Sequence, residues 1–176
     1  DGELAAAFDR WQNRLPLYNM RMGNISAVLV RAQLPEIARR VRDGRAGHDR
    51  VAARLNASPW LEVPPALGPE LRAPDSIQFN LLEMSDAEVD TYTAAAGAAG
   101  VKVQVFGRSA DNARAFWNWG FIPGGPGALP RTRAMLARAC DVRLPARLTA
   151  AELDYIADAL VGAAAAAMDA PRAYGT

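Results

Sequence analysis

The chain has 176 residues, 51% hydrophobic and 22% charged, with 20 basic against 19 acidic side chains. That length supports one domain, or a domain and a half, around a real core; the apolar content excludes a disordered tail, and no apolar run is long enough to span a bilayer. A net charge of +1 argues against non-specific nucleic-acid binding, which needs a concentrated positive surface, so neither nucleic acid nor membrane is an expected partner.

Residues 3–15 set Leu4, Phe8, Trp11 and Leu15 at helical spacing, an amphipathic stripe that needs a partner surface. Pro16 breaks it, and Leu17–Asn24 reads as irregular. Asn24 is placed to cap a second helix with Ile25, Val28, Leu29 and Ala32 on one stripe. Pro35 should kink or restart that helix, because it lacks the N–H donor and clashes with the preceding turn. Ile37, Val41, Val51 and Leu55 continue the pattern to Asn56, with Gly44 and Gly47 weakening its middle. The arginines around it, Arg39, Arg40, Arg42 and Arg45, read as a solvated face.

After Asn56 the period changes. Ser58–Val63 reads as a short strand, Pro64–Pro74 as a proline-rich loop, and Ile77–Met84 as a strand. Ser85-Asp86-Ala87-Glu88 is a capping-box signature opening an alanine-rich helix, which Gly97 or Gly100 stops. Val101, Val103 and Val105 alternate with polar residues and predict a half-buried strand over Val101–Phe106, expected to pair with Ile77–Met84 in one sheet. Ala115–Ile122 is aromatic enough for a further strand. A loop over Gly124–Pro130, a helix over Arg131–Ala139 and an extended stub at Val142–Leu144 follow. Thr149-Ala150-Ala151-Glu152 is a second capping box, opening a last helix to about Ala167. Helices first, then a β-α-β unit with added strands and a closing helix, predict an α+β domain (residues 57–176) behind a helical lead-in (residues 1–56).

Several chemistries lack material. One cysteine, Cys140, and one histidine, His48, leave no internal disulfide, no multi-ligand metal centre and no conventional Ser-His-Asp arrangement. Cys140 has no visible base partner and reads as packing, and His48 as a surface or hinge residue. Gly124-Gly125-Pro126-Gly127 lacks the lysine and spacing of a phosphate loop. The cysteine usage and the absence of a signal peptide point to the cytoplasm. The start at Asp1 without methionine suits a processed protein or the later part of a longer one.

The segment Tyr18-Asn19-Met20-Arg21-Met22, followed by Ala27 and Gln33-Leu34, resembles the Asn-x-Arg-Met segment of the DegT/StrS-type aminotransferases. The ending Arg143-Leu144-Pro145, Leu148-Thr149 and Glu152-Leu153-Asp154-Tyr155-Ile156 is similar to that family's closing pattern. These are pyridoxal-phosphate enzymes of fold type I, often acting on keto sugars. The resemblance spans about Tyr18 to Leu160. It implies the small C-terminal domain of such an enzyme, a small antiparallel or mixed sheet packed with helices behind a long helical linker. It also implies a homodimer with active sites shared across the interface, an amino-acid donor and a keto acceptor. By this resemblance Asn19 would reach the cofactor phosphate of the neighbouring subunit, with Arg21 as a second cofactor-binding candidate and Tyr18 lining the same pocket, and Arg108 would bind a substrate carboxylate.

One departure qualifies the match. The family's cofactor-bearing lysine lies upstream of the Asn-x-Arg-Met segment, whereas the only lysine here is Lys102, inside the predicted strand Val101–Phe106. Its alternation with Val101 and Val103 makes it an outward-facing strand residue. The chain therefore reads as a part of the enzyme without the anchoring domain. Two alternatives stay open: a fold type I aldolase or lyase fragment, which His48-Asp49-Arg50 faintly suggests, and a non-catalytic α+β binding or assembly module. The coding sequence upstream of Asp1 would separate them.

Overall fold

The chain divides into two compact units, Asp1–Ala38 and Arg39–Thr176. The structure, a computed structural model, describes residues 22–68, 72–108, 114–120 and 122–169. The predicted first helix and the segment of Tyr18, Asn19 and Arg21 lie outside the described residues.

In the first unit, helix α1 (Asn24–Arg31) buries none of its residues. Ile25, Val28 and Leu29 are 81%, 68% and 62% exposed. The cap position belongs to Gly23, with extended backbone and no side-chain cap bond, so Asn24 is the first helical residue and not the expected cap. A 3-10 turn over Leu34–Glu36 carries Pro35 near its start, and the chain re-enters a helix, α2 (Ile37–Asn56), immediately after it. That restart is the expected consequence of the missing donor.

In the second unit α2 runs unbroken through Gly44 and Gly47 and buries Val51 and Leu55 completely. The unit thus reaches back beyond residue 57. Gly44 serves a close approach: a Cβ there would stand 2.7 Å from the Pro74 carbonyl oxygen, so only glycine lets that loop lie on the helix. The sheet contains β1 (Leu61–Glu62), β2 (Ser76–Leu81), β3 (Gln104–Val105) and β4 (Ala139–Arg143), in the order β1-β2-β4-β3 with antiparallel neighbours throughout. Helix α3 (Asp86–Ala98) links β2 to β3, α4 (Pro130–Leu136) precedes β4, and α5 (Ala150–Asp169) closes the unit. This is the expected α+β class.

Three local expectations fail for identifiable reasons. β2 and β3 share a sheet but do not pair, because β4 lies between them, with Cys140 opposite Phe79 and Val142 opposite Ile77. The predicted strand Val101–Phe106 shrinks to Gln104–Val105. Its first N–H is taken: α3 ends with Gly100 at φ 77°, the Gly100 N–H donates to the Gly97 carbonyl, and the Val101 N–H donates to the Ala96 carbonyl. That helix-closing motif competes with the strand ladder and wins. Ala115–Ile122 gives a 3-10 turn at Phe116–Asn118, where the Asn118 and Trp119 N–H groups donate to the Ala115 and Phe116 carbonyls and not to a neighbouring strand.

The core lies on one face of the sheet. Ile77, Phe79 and Leu81 of β2 and Cys140 and Val142 of β4 join Val89, Tyr92 and Ala96 of α3 and Leu153, Ala157, Leu160 and Ala164 of α5 in one buried cluster. The Phe79 and Tyr92 rings meet edge to face at 6.5 Å. Both capping boxes form. Ser85 accepts from the Glu88 N–H while the Glu88 carboxylate accepts from the Ser85 N–H at 2.6 Å. Thr149 and Glu152 repeat the pattern at the start of α5. The opposite face carries Ser76, Gln78, Asn80, Gln104, Asp141 and Arg143, by strand alternation.

Candidate functional site

Arg108 ends a 3-10 turn, Phe106–Arg108, directly after β3. Gly107 in that turn packs against the backbone of Ala137, where a Cβ would meet the amide nitrogen at 2.8 Å. The turn is therefore pinned beside β4, and the guanidinium reaches back to α3. It bonds the Asp90 carboxylate and donates to the Asp86 carbonyl at 2.9 Å. Arg138 bonds the Asp86 carboxylate at 2.9 Å and, with Arg108 in second place, holds that carboxyl below the usual carboxylate range. Arg108 is thus held in place by two acids at the start of α3.

Alongside it runs a groove of about 850 Å³, whose lining includes Lys102, Gln104, Arg108, Asp141, Arg143 and Ile156. It opens where residues 101–103 peel away from β4. Asp141 is 5% exposed, and its Oδ1 has no hydrogen-bond partner; the Arg114 guanidinium stands 3.9 Å away. A buried carboxylate oxygen without a donor is costly, so this position is suited to accept a bond from a ligand hydroxyl or amine. Arg143 pairs with Asp75 at 2.8 Å at the rim. The sequence reading missed Asp141. The available signal was an acid flanked by Cys140 and Val142 in an apolar run, which strand alternation turns to the face opposite the core.

Other candidates have structural explanations. Burial pushes the Cys140 thiol up to about 12, so it stays protonated near neutral pH and is no nucleophile. Trp117 is half-buried, edge to face with Phe116 at 5.1 Å and beneath the Arg133 guanidinium at 4.0 Å. Trp119 is exposed. His48 is not a surface residue, since its side chain is only 11% exposed. Among the described residues no group of three acids, histidines or cysteines is placed to hold a metal ion, and no helix is long and apolar enough to cross a membrane.

The sequence profile of the DegT/DnrJ/EryC1/StrS aminotransferase family matches residues 2–161. The chain belongs to that family. Solved structures resemble it at low identity. The aminotransferase TlmJ from Streptoalloteichus hindustanus matches with a TM-score of 0.66 and 18% identity over 82% of this chain and 37% of its own. The putative sugar aminotransferase Spr1654 from Streptococcus pneumoniae, in its apo form, gives 0.66 and 19% over 84% and 36%; a PMP form of it matches equally well. 3-Amino-5-hydroxybenzoic acid synthase gives 0.58 and 17% over 82% and 39%. At such identities the likeness shows the fold. This family member therefore spans little more than a third of the solved chains it matches. A comparison with curated proteins returns no match.

The DegT/StrS aminotransferases are pyridoxal-phosphate enzymes, and the described residues do not fit an anchoring site for that cofactor. Covalent attachment needs a lysine amine held in a sheltered pocket. The family member's single lysine, Lys102, is exposed in the segment before β3. Arg108 and Asp141 flank the same groove without supplying an amine. Tyr18, Asn19 and Arg21, the residues that the resemblance assigns to the cofactor, lie outside the described residues.

Proposed function

We propose that this chain is the C-terminal part of a pyridoxal-phosphate-dependent aminotransferase whose anchoring lysine lies outside it. In the complete enzyme an amino group would pass from an amino-acid donor to a keto acceptor. A keto sugar is the acceptor class favoured by the sugar aminotransferase among the structural neighbours. The enzyme would be a cytoplasmic homodimer, with Asn19, Arg21 and Tyr18 reaching the cofactor of the partner subunit. Residues 1–56 would form the lead-in and interface region, and residues 57–176 the small domain. Arg108, fixed by Asp86 and Asp90 at the edge of the groove, would present its remaining donor capacity to a substrate carboxylate.

The observation that carries this reading is the family match over residues 2–161, together with a lone exposed lysine downstream of the Asn-x-Arg-Met segment. No described residue is assigned a step in the transfer. The test is covalent mapping. The full-length protein is loaded with pyridoxal phosphate, reduced with borohydride and digested, and the modified lysine is located by mass spectrometry. Modification of one lysine outside this chain is expected. Stoichiometric modification of Lys102, accompanied by amino-group exchange, would overturn the reading.

A further inference from the structure

A second cavity lies along α2, and neither Arg108 nor Asp141 lines it. Arg45 and His48 stand three residues apart on that helix and so share a face. The space beside them measures about 350 Å³, and its lining includes Arg45, His48, Asn56, Val63, Pro64 and Arg72. A neighbouring space of about 340 Å³ shares His48, Pro64 and Arg72 with it. Val63 and the prolines of the facing loop contribute apolar walls, and the Gly44 contact with Pro74 keeps that loop close to the helix.

Arg45 is only partly satisfied. Its Nε donates to the Arg72 carbonyl at 2.5 Å, while Nη2 is buried with no partner. A buried cationic donor in this state is stabilised by an anion. Among the described residues, two carboxylates line the two spaces: Asp49 contacts His48 Nδ1 at 3.2 Å, and Asp75 pairs with Arg143 at 2.8 Å. The Asp49 contact also orders the imidazole. A carboxylate only accepts, so Nδ1 must carry the proton, which leaves Nε2 of the neutral ring as an acceptor. The cavity therefore asks for a group that brings negative oxygen to Arg45 and an acidic O–H to His48.

We propose that the Arg45–His48 cavity binds inorganic phosphate as the anion that still carries one P–OH. Its charged oxygens accept from Arg45 Nη2 and its P–OH donates to His48 Nε2. Sulfate and carboxylates, which carry no proton near neutral pH, satisfy only the arginine. The site is independent of the aminotransferase reading, since it uses neither Arg108 nor the groove.

The experiment titrates inorganic phosphate and, separately, sulfate into the full-length protein at about pH 8. The His48 imidazole nitrogen signals are followed by NMR and assigned by their loss in His48→Asn. This local readout ignores phosphate bound elsewhere. A saturating shift with phosphate is expected, with sulfate weaker by about tenfold or more, as befits one lost hydrogen bond in a buried charged site. Arg45→Gln should weaken phosphate by a similar factor. If that variant fails to fold, the phosphate–sulfate contrast in the unaltered protein still decides. Glucose 6-phosphate, whose monoester group has lost its second proton at this pH and offers no P–OH, should bind about as weakly as sulfate; affinity equal to that of inorganic phosphate would overturn the contact with His48. Equal affinity for the two ions, no saturable shift with either, or unchanged phosphate binding in folded Arg45→Gln would sink the proposal.

Discussion

Helices α1 and α5 both carry an apolar stripe, yet they end in opposite environments. In α5, Leu153, Ala157, Leu160 and Ala164 are buried against α3 and the sheet. In α1, Ile25, Val28 and Leu29 are exposed and nothing is buried. An amphipathic pattern states that a helix needs a partner, not where the partner is. For α5 the partner lies within this chain. For α1 no described residue supplies it, which is consistent with the proposed homodimer and with a chain that spans little over a third of its structural neighbours.

The largest effect should come from α5. Leu160→Ala removes a fully buried side chain from the centre of the cluster. It is expected to cost about 2–5 kcal/mol, read as a lower urea midpoint with an unchanged slope. A cost below about 1 kcal/mol would mean that α5 is not the closing layer of this core.

A smaller effect belongs to the start of α5. The Thr149 N–H donates to Glu152 Oε2 at 2.7 Å, and the Thr149 hydroxyl bonds the same oxygen at 2.8 Å. These bonds hold the Glu152 carboxyl below its usual value. The depressed pKa in the folded state sets the sign: the contribution is present above the unfolded value of about 4.3 and is lost as pH falls through the folded value. Thr149→Ala should cost about 1 kcal/mol at neutral pH through the lost cap. It should also lose less of its remaining stability on acidification than the parent does. A parallel acid dependence in the two proteins would mean that the hydroxyl adds nothing to the shift and that the backbone N–H, which the variant keeps, carries all of it.

The smallest effect on folding, and the sharpest on the comparison, is expected in α1. Val28→Asp changes an exposed position, 68% accessible, so the unfolding free energy should move by no more than about 0.5 kcal/mol. If α1 belongs to an interface of the complete enzyme, the same change places a charge in an apolar contact and should shift sedimentation towards the monomer. Unchanged association at micromolar concentrations would remove α1 from the proposed interface.

Much of this was legible in the sequence because it rests on local physics. Both capping boxes, the restart after Pro35, the glycine end of α3 and the α+β order follow from side chains within a few residues of one another. So did the missing lysine, which is a count and requires no geometry. What escaped depends on contacts between distant segments. The central place of β4 comes from Cys140 and Val142 meeting Phe79 and Ile77, some 60 residues earlier in the chain. Alternation in Val101–Phe106 was real, but the closing turn of α3 claimed its first N–H. Gly44 and Gly47 look like weaknesses in α2 until Pro74 and Leu153 are seen against them.

The candidate sites divide along the same line. Sequence alone carried the family resemblance through Tyr18, Asn19 and Arg21, and that resemblance nominated Arg108, which follows the predicted strand Val101–Phe106. The buried Asp141 oxygen, the unpartnered Arg45 Nη2 and the half-hidden His48 were decided by tertiary structure. Residue type and spacing determine what a side chain is able to donate or accept. Only the packing of the remaining chain around it determines whether water or a neighbouring residue has already satisfied that capacity.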